Sequence, residues 1–126
     1  MSFVSQAAPT GAHIASEGNG TISREPIILL SGQGVVPAGA VLGRITAAGA
    51  NLGKYAKYNN TATDGRNTAS AVLWGSVDTT SADGRGAAHI RHCEVFAERL
   101  AWLDGTDAAA KTAAYADLAT ASIITR

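Results

Sequence analysis

At 126 residues the chain fits one domain, and a globule of that size buries roughly two thirds of the surface its unfolded chain exposes. Ten basic and ten acidic side chains cancel, which leaves no chain-wide field to draw the protein to nucleic acid or to an anionic membrane. Hydrophobic residues, many of them Ala, make up 46% of the chain and charged ones only 16%; so charge-poor a surface is expected to be covered by partners, most simply in a symmetric oligomer.

Residues 1–24, MSFVSQAAPTGAHIASEGNGTISR, show neither a helical nor a strand period. Phe3, Val4, Ile14 and Ile22 are too scattered to build a core, so this segment is expected to be a flexible arm. Such an arm can order by adding strand-like pairing to a partner. Residues 25–126 are expected to form one β-rich domain. In it, IILL at 27–30 reads as a short buried strand that ends in the turn SGQG. VVPAGAVLGRIT at 35–46 places Pro37 and Gly39 around a turn, after which Val41 and Ile45 share one strand face and Leu42 and Arg44 the other. LGKYAKYNN reads as a half-exposed strand, with Tyr55 and Lys57 on one side and Lys54, Ala56 and Tyr58 on the other. The run at 59–69 is dense in turn formers, with Asp64-Gly65 as its nucleus.

From Ala71 to Val77 both strand faces are apolar, which predicts a central strand or one under a subunit contact. A polar connection from Asp78 to Gly86 leads to a further strand over Ala87–Phe96, most simply antiparallel to the preceding one. Thr106 or Asp107 caps a helix in AAAKTAAYADLA, whose stripe of Ala114, Tyr115 and Leu118 must dock on the sheet. The final SIITR is β-branched and strand-like. The fold class is therefore mainly β with one short C-terminal helix.

HIRHC at 89–93 is the best candidate for a metal site, since imidazole and thiolate are zinc ligands. On a continuous strand, alternation sends His89, Arg91 and Cys93 to one face and Ile90, His92 and Glu94 to the other, so the imidazoles diverge and no metal site is expected. His92 beside Glu94 is a candidate pH-sensitive contact. No Ser lies in a nucleophile elbow, and Cys93 carries no nucleophile signature, so no catalytic residue is assigned. GQGVVPAGA lacks the third glycine and following helix of a phosphate loop, and Lys54, Tyr55, Lys57 and Tyr58 lack the wider basic surface of a single-strand binder. No cofactor is implied. Cys93 stands alone, which excludes an intrachain disulfide, and no run approaches the ~20 apolar residues of a membrane span. A soluble protein made in a reducing cytosol is expected. Trp74 and Trp102 serve either core packing or an interface, and with His92 they are the candidates for a subunit or partner contact.

The run SAVLWGSVDTTSADGRGAAHIRHCEVFAERLAW at 70–102 resembles the lambda-type phage head decoration proteins. Arg91, His92, Glu94, Val95, Leu100 and Trp102 carry the resemblance, and PAGAVLGRITAAG, TATDGRNTA and the Ala-rich helix followed by ASIITR extend it over about Pro26 to Ile124. It implies a compact β-clip-like domain that forms a homotrimer. Such a trimer sits outside an expanded icosahedral head at three-fold positions and holds major coat protein subunits against internal DNA pressure. The arm, with Phe3, Val4, Ile14 and Ile22, would then order against the coat protein. The protein would be a structural virion component made in the host cytoplasm, with neither nucleic acid nor membrane as a direct partner. Two other readings stay open. PAGAVL is also similar to the Pro-x-Gly turn of sugar-binding and antifreeze-like β-clip domains, which would make this a small-ligand module. A small enzyme would need His92 to converge with Glu94 or Cys93 in a cleft.

Overall fold

The computed structural model describes residues 8–126, and its organising element is a closed five-stranded barrel. In chain order the strands are β1 (Ile14–Glu17), β2 (Arg24–Leu29), β3 (Val35–Val36), β4 (Val41–Arg44), β5 (Tyr55–Lys57), β6 (Ala69–Leu73), β7 (Val77–Asp78), β8 (Gly84–His89), β9 (Cys93–Val95) and β10 (Ile123–Thr125). A single helical turn, α1 (Gly20–Ser23), precedes β2, and a longer helix, α2 (Ala108–Thr120), precedes β10. The barrel runs β2-β5-β4-β6-β8 and is closed by an antiparallel ladder between β8 and β2. Beside it lie a three-stranded sheet, β1-β9-β10, and a two-stranded one, β3-β7. The mainly β architecture with a helix near the C-terminus is as the residue pattern predicts.

Glycines let neighbouring segments press directly against the barrel strands. A Cβ on Gly43 of β4 would stand 2.5 Å from the Arg66 Cα, and one on Gly86 of β8 would stand 2.7 Å from a Val77 methyl. Ile27, Leu29, Val36, Leu42, Ala71 and Leu73 fill one buried cluster, and β6 is buried on both faces, as its doubly apolar pattern predicts. The second cluster lies where α2 covers the barrel, with Val41, Tyr58 and Val72 meeting Val95, Leu118 and Ile123. Asp107 caps α2 by accepting from the Ala110 N–H at 2.8 Å, and Ala110, Ala114 and Leu118 recur every four residues on the buried face. Tyr58 is buried and donates its hydroxyl to the Ala110 carbonyl at 3.1 Å, so it ties barrel to helix.

The strand predicted over Ala71–Val77 is cut short: β6 ends at Leu73, and Val77 lies in β7, paired with β3. Two further stretches depart from the predicted elements. The strand over Ala87–Phe96 is broken in two: β8 starts at Gly84 and ends at His89, and β9 begins at Cys93. Between them His92 adopts φ 52°, a left-handed conformation that no strand contains. The second departure lies in residues 8–24, which belong to the folded unit, whereas residues 1–7, including Phe3 and Val4, lie outside the described residues. β1 pairs antiparallel with β9, and an irregularity between Ile14 and Ser16 turns both Ile14 and Glu17 inward. A regular strand would have sent residues three apart to opposite faces, so the sequence shows no period 2 there.

Gly43→Ala forces a methyl group against the Arg66 backbone and is expected to cost about 1–3 kcal/mol, read by urea unfolding. By the same measurement Asp107→Ala, which removes the cap of α2, is expected to cost about 1 kcal/mol.

Candidate functional site

Residues 1–24 contain only three side chains that titrate or carry charge, His13, Glu17 and Arg24, and the fold brings all three to one place. The β2–β8 register sets Arg24 opposite His89, and β1 lays Glu17 across both. Arg24 donates from Nε to the Glu17 carboxylate at 3.1 Å, and its guanidinium lies 3.9 Å from the centre of the Trp74 ring. His89 is fully buried, and its Nε2 contacts Oε2 of the same carboxylate, the oxygen that also accepts from Arg24 Nε. An ionised carboxylate only accepts, so that nitrogen carries the proton. The His13 ring meets His89 edge-on with centroids 6.4 Å apart, while its backbone carbonyl accepts from the Phe96 N–H at 2.8 Å. Among the described residues, Nε2 of His13 and Nδ1 of His89 are buried without a hydrogen-bond partner.

The electrostatics follow from this geometry. Burial, helped by nearby His89, pushes the His13 imidazole down to about 4. Glu17 is held down to about 2, chiefly by the Arg24 hydrogen bond and then by His89, against the opposing effect of burial. Cys93, buried close by, is pushed up to about 11 by burial and by the Glu17 charge, the wrong direction for a nucleophile. A carboxylate orienting an imidazole is one part of a hydrolytic site, but here the imidazole is sealed and the adjacent thiol is deactivated. The cluster holds elements together.

The remaining sequence-derived candidates are dispersed. His92 is exposed, and its carbonyl, rather than its ring, is engaged, accepting from the Gly18 N–H at 3.0 Å and the Ser23 hydroxyl at 2.9 Å. Its expected contact with Glu94 does not form, because Ser16 donates to the Glu94 carboxylate at 2.6 Å and Arg126 at 2.7 Å. The left-handed residue breaks the alternation that would have aligned the two side chains. Trp102 is partly buried between Tyr58 and Tyr115, with ring centroids 6.3 Å and 5.7 Å away, and Trp74 is occupied by Arg24 and His89. Ile14 packs on the helix-side core, whereas Ile22 is half exposed. An open groove of about 1020 Å³ lies along the barrel, lined among others by Glu25, Ile28, Arg44, Tyr55 and Arg85. Among the described residues, no group of three or more His, Cys, Asp or Glu side chains is placed to hold a metal ion, and no helix is long and apolar enough to cross a membrane.

The family model described as bacteriophage lambda head decoration protein D matches residues 3–123. The chain belongs to that family. No curated protein matches it by sequence. Membership makes this a phage head decoration protein, a structural component of the virion capsid. The sequence offered one usable signal for the Glu17 cluster, the confinement of all titratable side chains of residues 1–24 to His13, Glu17 and Arg24.

Acid stability of the decoration protein is expected to fall in two stages. His13 returns from about 4 to 6.5 on unfolding, so its contribution is complete above pH 6.5 and is lost as pH falls towards 4. Glu17 returns from about 2 to 4.5, so its contribution is complete above pH 4.5 and is lost as pH falls through about 2. The first stage is worth on the order of 3 kcal/mol. Urea midpoints measured across pH check this: His13→Gln should remove the upper stage and Glu17→Gln the lower. Trp102→Ala is expected to destabilise by about 1–3 kcal/mol, because its partly buried ring packs within the subunit; a drop in thermal midpoint would report it.

Proposed function

We propose that this protein clamps an expanded phage head from outside, as a homotrimer at three-fold positions, with the major coat protein as its partner. The observation that carries the reading is the family match over residues 3–123. The surface supports it: charge is sparse, and Val35, Leu52 and Ile22 are 61%, 58% and 50% exposed. A trimer presents three copies of each contact to one symmetric site, so modest affinities combine through high effective concentration. Binding that favours the expanded lattice stabilises it by linkage against the pressure of packaged DNA. The protein is made in the host cytoplasm and meets neither DNA nor membrane directly.

The coat-binding arm in this proposal is shorter than residues 1–24. Phe3 and Val4, which lie outside the described residues, remain its apolar anchors; Ile22 and His92 are exposed on the folded domain and remain contact candidates. Ile14 belongs to the packed strand β1, and Trp74 and Trp102 contribute mainly to packing. Deleting residues 2–24 would therefore remove β1 and α1 as well as the arm.

Light scattering should give the mass of three subunits, and cosedimentation should show binding to expanded heads and not to unexpanded ones. A variant lacking residues 2–7 is expected to keep the folded trimer and lose most head binding. Undiminished binding by that variant would remove the arm from the mechanism, and a monomer that ignores heads would return attention to the groove at Arg44 and Arg85.

A further inference from the structure

We propose that residues 8–18 form a proton-releasable strap, which acidification detaches from the barrel while the barrel, α2 and the β9–β10 pair stay folded. The topology makes such a separation possible. β1 is an edge strand whose ladder partner is β9, and β9 keeps a parallel partner in β10, with Ile123 opposite Cys93 and Thr125 opposite Val95. The barrel-side core contains no strap residue, and the helix-side core has only Ile14 at its margin. Removing the strap therefore opens one edge without breaking the β8–β2 closure.

Besides its ladder with β9 and the backbone bond from the Gly11 N–H to the Trp74 carbonyl at 3.1 Å, the strap is attached by polar groups that share one carboxylate. Glu17 on the strap is shared between Arg24 of β2 and His89 of β8. Cys93 of β9 is the other titratable group close to it, and Glu94 of β9 is taken by Ser16 and Arg126. His13 faces His89 across 6.4 Å and otherwise packs on the Gly39 backbone, where a Cβ would stand 3.4 Å from its ring and 2.8 Å from the Arg99 carbonyl. A proton added to His13 at Nε2 meets no acceptor and sits beside an imidazole already bound to the one carboxylate in the cluster. Swinging the strap outward moves His13 and Glu17 into water together, and Arg24 is already partly exposed. Gly11 sets the mechanical tolerance: at φ 76° it lies against Trp74, and a Cβ there would stand 2.6 Å from the indole ring. Release would free eleven residues of chain from the barrel, roughly 36 Å at full extension.

Hydrogen exchange of the full-length protein at pH 7.5 and pH 5.0, corrected for intrinsic rates, tests the strap without a capsid. Peptides covering residues 8–18 are expected to lose about tenfold or more in protection at the lower pH, with β2, β6 and α2 unchanged. Equal strap protection at both pH values, or loss of strap and barrel together, overturns the proposal. His13→Gln should abolish the pH response of the strap; a retained tenfold response overturns it. Gly11→Ala should open the strap at both pH values and leave the barrel protected, and a barrel that unfolds with it shows that the two are not separable. Head binding plays no part in these readouts, so their failure leaves the decoration reading untouched.

Discussion

Six residue pairs between β2 and β8, from Arg24 opposite His89 to Leu29 opposite Gly84, close the barrel and fix most of what surrounds it. The other barrel ladders are shorter, three pairs or fewer, so this one sets the register. At one end it places Leu29 in the barrel-side core; at the other it lines up Arg24 and His89 as a receptor for Glu17. A slip of one residue would turn Ile27 and Leu29 out of the core and separate that receptor. Closure also removes the free edges that an open five-stranded sheet would expose.

The two cores divide the work. The barrel-side cluster is built from Ile, Leu, Val and Ala, with glycines where strands approach too closely for a side chain. The helix-side cluster is more aromatic at its rim, where Tyr58, Trp102 and Tyr115 interlock, and it joins the last third of the chain to the barrel. Both clusters are held by apolar packing. The strap over the barrel is fastened differently, by a carboxylate, an arginine and two histidines at an edge strand. Polar fastening depends on protonation in a way that apolar packing does not.

Much of the fold was legible in the chain because its signals are local. The capped Ala-rich helix, the doubly apolar β6, the half-exposed β5 and the strand-like C-terminus each follow from periodicity or propensity over a few residues. The order of motifs from Ser70 to Trp102 likewise pointed to the decoration family, which the match over residues 3–123 shows. The expected separation of His89 from His92 also holds, though by a different route. A left-handed residue divides the strand, burying one imidazole and exposing the other.

The sequence by itself therefore determined the fold class, the helix, most strands and the family, since each rests on short-range patterns. Only the tertiary structure decided that residues 14–23 belong to the domain, because β1 is held by pairing with β9, almost eighty residues away in the chain, and its irregular register erases the alternation that marks a strand. It alone decided the cluster of His13, Glu17, Arg24 and His89. A linear reading weighs His89 only with His92 and Cys93 and never joins it to His13, Glu17 and Arg24; the four become a site only because barrel closure brings β2 and β8 together beneath β1.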